Sequence, residues 1–160
     1  MKIVFFGTNE FSATILKGLL DTNRNVVAVV SQPDRINGRN NKIILSAVKK
    51  LAIEKNIPIY QFEKLNKEGE EILKDIAPDL FITASYGQII KQNILDIPKY
   101  GTVNVHASLL PKYRGPAPIQ WAIINGESKT GITIMKTDIG MDTGDIYFEK
   151  ELEITAIDTA

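Results

Sequence analysis

Lys2-Ile3-Val4-Phe5-Phe6-Gly7 stands at the start of the chain, and its reading decides the fold. The run is apolar, β-branched and aromatic, shows no polar alternation, and stops at a glycine. Such a run is a strand covered on both faces, as in a parallel sheet. The next segment has a helical period. Phe11, Ile15, Leu19 and Leu20 recur at the spacing of one helix face and predict a helix over Glu10–Asp21. Residues 26–30 read as a second buried strand. Residues 46–55 and 64–76 read as helices, and residues 57–62 as a short extended segment that Pro58 confines to a sheet edge. Leu80–Ala84 and residues 101–105 are further buried strands, and residues 118–125 form a short helix. Residues 131–136 and Ile146–Glu153 alternate as strands near a sheet edge do. Strand–helix alternation of this kind predicts an α/β fold: a doubly wound, mostly parallel sheet with an antiparallel edge strand. In such sheets the site lies beyond the carboxyl ends of the strands.

Composition narrows the chemistry. The 160 residues contain no cysteine and one histidine, so disulfide scaffolds, thiol catalysis and cysteine-ligated metals are excluded. Nineteen basic residues balance nineteen acidic ones, which argues against a broad nucleic-acid coat but permits a local basic patch. With 44% hydrophobic and 24% charged residues the chain is ordinary globular material. It carries neither the apolar run and cleavage site of a signal peptide nor a run that spans a membrane, so a cytoplasmic location is expected. No G-x-G-x-x-G comes after the first strand, there is no phosphate-binding G-x-x-x-x-G-K-[ST], and Ala84-Ser85-Tyr86-Gly87 lacks the first glycine of a nucleophile elbow. No metal site is expected.

Three segments remain. His106 lies at the end of the strand over residues 101–105, and Asn104, two residues earlier, projects from the same face. The stiff run Ser108-Leu109-Leu110-Pro111-Lys112-Tyr113-Arg114-Gly115-Pro116-Ala117-Pro118 comes directly after it. Residues 137–145, Thr-Asp-Ile-Gly-Met-Asp-Thr-Gly-Asp, place glycines and carboxylates where one can pair with His106. Residues 32–42 form a long polar loop. A structural histidine, a stiffened crossover and a plain β-turn explain the first three features equally well, and spacing alone leaves the choice open.

The run from Asn104 to Ile119 resembles the signature of the folate-dependent formyltransferases, and Asp138-Ile139-Gly140-Met141-Asp142-Thr143-Gly144-Asp145 resembles their second motif. The likeness extends over essentially the whole chain and implies a Rossmann-like formyltransferase fold. It implies catalysis by Asn104, His106 and Asp142, with 10-formyltetrahydrofolate as formyl donor. The implied folate contacts are Ser108, Leu109, Leu110 and Pro111, with a cis Leu110–Pro111 bond, together with Tyr86, Gly87, Gln88, Ile89, Ile90 and Asp138. Gln32-Pro33-Asp34-Arg35 with Gly38-Arg39 is similar to the branch whose acceptor is initiator methionyl-tRNA, which implies tRNA contacts at Arg35, Arg39 and Lys42. That branch implies a role in translation initiation and a monomer. Its members also carry a second, tRNA-binding domain. The 160 residues match only the catalytic part, and Thr155–Asp158 has the form of a capping box opening a next helix, so an N-terminal catalytic fragment is expected. The rivals are a transferase acting on glycinamide ribonucleotide or an amino sugar nucleotide, a hydrolase of formyl-folate, and a non-catalytic folate- or RNA-binding module.

Overall fold

The computed structural model describes residues 1–37 and 42–160. By internal contacts these form two compact units, Met1–Thr102 and Val103–Ala160. The first contains β1 (Ile3–Gly7), α1 (Glu10–Asp21), β2 (Val26–Ser31), β3 (Arg35–Asn37), β4 (Lys42–Ile44), α2 (Ala47–Glu54) and β5 (Ile59–Gln61). It continues with α3 (Leu65–Glu68), α4 (Glu70–Ile76), β6 (Leu80–Ala84) and α5 (Gln92–Leu95). β7 (Thr102–His106) begins at the boundary, and the second unit adds α6 (Pro118–Ile124), β8 (Lys129–Lys136) and β9 (Ile146–Glu153).

In the first unit β1 is buried at every position and pairs in parallel with β2 on one side and β6 on the other. β5 adds in parallel to β2. A central parallel strand sees helices on both faces, and the unbroken apolar run of β1 is the sequence form of that burial. Phe6 meets Phe81 edge-on at 4.8 Å and Tyr86 at 5.4 Å between ring centroids. Val4, Val30, Leu65, Leu73 and Ile94 complete this core with no exposed surface. The turn into α1 is tight: a Cβ on Gly7 would stand 2.6 Å from Ser12 Cβ. Asn9 caps α1 by accepting from the Ser12 amide, and Ser12 Oγ donates to the Ala84 carbonyl at 2.6 Å, tying the helix start to the end of β6.

The second unit is antiparallel. β7 pairs with β8 in a register that sets Asn104 opposite Met135 and His106 opposite Thr133, and β8 pairs with β9. The inner residues of β8 alternate buried and half-buried, whereas β9 is exposed along its whole length.

The doubly wound, mostly parallel α/β expectation holds: parallel strands flanked by helices come first, antiparallel strands last. Four details differ. Residues 32–42 are not loop throughout, because Arg35–Asn37 and Lys42–Ile44 pair as an antiparallel ribbon. The helix read over 64–76 breaks at Gly69, whose missing Cβ leaves room for Leu65 Cδ1. The short α5 has too few residues to show a period. Thr155–Asp158 forms a turn rather than a helix, although Asp158 Oδ2 accepts from the Thr155 amide at 2.7 Å as a capping box requires. Among the described residues no helix is long and apolar enough to cross a membrane.

Candidate active site

β7 ends at His106, one residue beyond the strand read from the sequence. Strand geometry puts Asn104 and His106 on one face, as their spacing implies. The His106 side chain is buried, with 7% of its surface exposed. Its Nε2 lies 2.8 Å from the Tyr113 carbonyl oxygen. A carbonyl only accepts, so Nε2 carries the hydrogen and donates. Nδ1 faces Asp142 Oδ2 at 3.6 Å, close enough to pair a charged imidazolium but beyond hydrogen-bond length. Asn104 Nδ2 reaches the other carboxylate oxygen of Asp142 at 3.3 Å. Asn104 and His106 thus converge on the Asp142 carboxylate.

Asp142 sits in the connection between β8 and β9, so residues 137–145 do join two antiparallel edge strands, and the same connection brings a carboxylate to His106. Its φ is +51°, a conformation that costs a non-glycine residue about 1–3 kcal/mol. The surroundings impose it. Asp138 Oδ1 accepts from the Gly140 amide at 2.9 Å and from Thr143 Oγ1 at 3.0 Å, closing the loop on itself. A Cβ at Gly140 would collide with Thr143 Oγ1, and one at Gly144 with the Lys136 carbonyl. The firmest bond to Asp142 comes from elsewhere: the Gly115 amide donates to Oδ2 at 2.8 Å.

The run after His106 is stiff for specific reasons. Ser108 Oγ donates to the Lys112 carbonyl at 2.6 Å, and the buried Thr133 hydroxyl donates to the Ser108 carbonyl at 2.7 Å while accepting from the Leu110 amide at 3.2 Å. The Leu110–Pro111 bond is cis, as the resemblance implies. Ser108 and Leu110 are buried, Leu109 half-buried and Pro111 exposed, so Leu109 and Pro111 present the surface here.

The first unit places its predicted residues in two ways. Tyr86 turns inward, and burial pushes its phenol well above the ordinary tyrosine value. Gln88 donates to the Phe62 carbonyl at 2.8 Å and accepts from the Leu65 amide at 3.1 Å, so its side chain holds α3 in place. Gly87, with φ +91°, and Ile89, 77% exposed, are the accessible members, and Ile90 is half-buried against the core. Arg35 is exposed at the start of β3, and Lys42 begins β4. Arg39 lies outside the described residues. Below the ribbon, Lys49 Nζ bonds the Asp34 carboxylate and Gln61 Oε1, and Gln61 Nε2 donates to Asp34 Oδ1 at 2.9 Å and to the Gln32 carbonyl at 2.8 Å. These bonds, Lys49's first, hold the Asp34 carboxyl below its usual value.

Residue spacing missed Tyr113, Gly115, Thr133 and Thr143. They act through backbone groups or through a hydroxyl brought in by pairing and loop closure, which no side-chain pattern announces. Tyr113 and Gly115 do stand inside the motif run, where they read only as wall.

Comparison with known proteins bears on this arrangement. A family model described as formyl transferase matches residues 1–160. The chain is 52% identical over 162 residues to a methionyl-tRNA formyltransferase of Clostridium novyi (strain NT), covering 100% of this chain and 52% of that protein. The chain spans about half the length of the curated relatives it matches. In structure it is similar to a phosphoribosylglycinamide formyltransferase from Bacillus halodurans, with TM-score 0.80 at 22% identity over 99% of this chain and 83% of that one, a likeness of fold. A sugar 3N-formyl transferase solved in the presence of dTDP and 5-N-formyl-THF matches with TM-score 0.68 at 26% identity, over 96% of this chain and 52% of that one.

Proposed function

The chain belongs to the formyl transferase family, and on that premise we propose that it transfers a formyl group from 10-formyltetrahydrofolate to the amino group of initiator methionyl-tRNA. The observation that carries this reading is the convergence of Asn104 and His106 on the Asp142 carboxylate at the end of β7. The 52% identity to a methionyl-tRNA formyltransferase supports the choice of acceptor over a sugar or a ribonucleotide.

The acceptor amine attacks the formyl carbon, a C–N bond forms, and the carbonyl oxygen becomes an oxyanion. Asn104 Nδ2–H and a protonated His106 Nδ1–H are the donors that face the shared site, and they bind that oxygen. Donors already aimed at the developing charge cost no reorganisation in the transition state. His106 Nε2 is not a candidate, because the Tyr113 carbonyl takes its hydrogen. Asp142 accepts the proton the amine loses. The tetrahedral carbon then breaks its bond to the folate nitrogen, and that nitrogen takes up a proton, which balances the one the amine loses. No covalent intermediate is needed. For the folate itself, the exposed Pro111 and half-buried Leu109 suit a flat apolar ring, as do Gly87 and Ile89. Asp138 acts through Thr143 and Gly140, shaping the loop that carries Asp142. Arg35 and Lys42, which belong to the ribbon strands, and Arg39 are the proposed tRNA contacts.

The test is direct. The chain is incubated with 10-formyltetrahydrofolate and either charged initiator tRNA, uncharged tRNA, glycinamide ribonucleotide or water alone. Formylmethionine released from the charged arm is the expected result. Formylated ribonucleotide, or formate release equal in all arms, would instead establish a small-acceptor transferase or a hydrolase.

A further inference from the structure

We propose that Glu127 is a positioning residue for His106: through the Tyr113 hydroxyl it holds the Tyr113 carbonyl against Nε2, and thereby aims Nδ1 at the reacting atoms. The reaction assigned to His106 rests on the formyl-transfer reading above; the geometry does not.

His106 has one ring hydrogen bond of normal length, the 2.8 Å contact to the Tyr113 carbonyl, against 3.6 Å on its Asp142 side. The plane of the ring therefore depends on where that carbonyl points. Tyr113 has φ +56°, a left-handed conformation that a tyrosine holds only when its surroundings over-determine it. Those surroundings are visible. The Tyr113 hydroxyl donates to Glu127 Oε1 at 2.7 Å and accepts from Asn125 Nδ2 at 3.0 Å. Lys112 Nζ closes the other side, 3.1 and 3.2 Å from the two carboxylate oxygens. Glu127 is rooted on the end of α6, where its amide donates to the Ala122 carbonyl at 3.0 Å. Bonds from Tyr113 and then Lys112 hold its carboxyl below the ordinary glutamate value, so it is an ionised acceptor at neutral pH. On the chain side, Ser108 Oγ grips the Lys112 carbonyl at 2.6 Å.

The same turn serves both partners of the site. Two residues after Tyr113 accepts from His106, the Gly115 amide donates to Asp142 Oδ2. A turn that relaxes thus shifts imidazole and carboxylate together. A Lys–Glu pair open to solvent contributes little by itself, so a purely structural Glu127 predicts a small loss of stability and nothing else.

His106 is the only histidine in the chain, so its imidazole signals in a ¹⁵N-labelled sample are unambiguous. The native chain should show an Nε2–H proton protected from exchange. Glu127→Ala and Tyr113→Phe should lose that protection, whereas Glu127→Gln, which still accepts from Tyr113, should keep it. In turnover, both disruptive variants should lower kcat about 10- to 100-fold, the scale of a misplaced catalytic group. Their KM for formyl-folate should stay within about twofold, with kcat restored by Glu127→Gln. Tyr113→Phe removes a single hydroxyl, which keeps the test alive if Glu127→Ala does not fold. Protected Nε2–H and unchanged kcat in both variants would overturn the proposal. Loss of protection in a chain with no transferase activity would uphold the positioning role and overturn the formyl-transfer reading.

Discussion

At the residue scale the site is a set of donors arranged around one carboxylate. Asn104 and His106 owe their alignment to the two-residue period of β7 and their setting to its register with β8. Asp142 arrives from a loop in which Gly140 and Gly144 have no room for a side chain. His106→Ala and Asn104→Ala should each lower kcat by about 3–4 kcal/mol of transition-state stabilisation, roughly a thousandfold. Titration of formyl-folate by fluorescence or calorimetry should find binding little changed, because neither side chain is assigned to the ring. Near-normal turnover by His106→Ala would refute the assignment. Both residues stood out in the sequence as a lone histidine two residues after an asparagine at a strand end, but only the family resemblance implied a catalytic role for them. The Tyr113 carbonyl and Gly115 amide did not stand out, because every residue carries a carbonyl, nearly every one an amide, and only the turn decides which ones point inward.

At the scale of elements, the β3–β4 ribbon is anchored by the Asp34–Lys49–Gln61 bonds, which tie it to α2 and β5. Composition marked this stretch as loop because its residues are polar; cross-strand pairing of Arg35 with Ile44 is a tertiary outcome. An anchored ribbon presents Arg35 at a fixed place. Arg35→Ala or Arg39→Ala should raise the KM for charged tRNA several-fold while leaving the KM for formyl-folate unchanged; equal effects on both substrates would remove the ribbon from tRNA recognition. The anchor also has a pH signature. The Asp34 carboxyl titrates below its ordinary value of 3.8 in the folded chain. Its stabilising bonds are therefore fully present above that value and are lost as pH falls through the lower, folded value. The melting temperature of the native chain should exceed that of Asp34→Asn at pH 6, and the gap should close on acidification below about pH 4. A gap constant with pH would mean that the charge is not what anchors the ribbon.

At the scale of the whole molecule, the first unit draws its stability from a core centred on β1, and the second carries the converging side chains. Phe81 has no exposed surface and packs on Phe6. Phe81→Ala should destabilise the chain by about 3–5 kcal/mol in denaturant unfolding, the usual loss for a fully buried aromatic. A loss below about 1 kcal/mol would show that this core does not limit stability.

Some properties were set by residue order alone. Buried strands announce themselves through unbroken apolar runs, helices through their period, and α1, β6 and β9 begin and end where those patterns do. Burial and period are local, so a linear string records them. The identity of the side chains proposed to react is equally local, and the resemblance of the motif runs implied it. Which atoms meet is a different matter. That Nε2 rather than Nδ1 is taken by a carbonyl, that Asp142 is held by Gly115, and that Glu127 reaches His106 through Tyr113 all depend on groups from separate segments meeting at distances near 2.8 Å. Only the folded chain fixes those distances, because directional bonds between remote segments leave no period in the sequence.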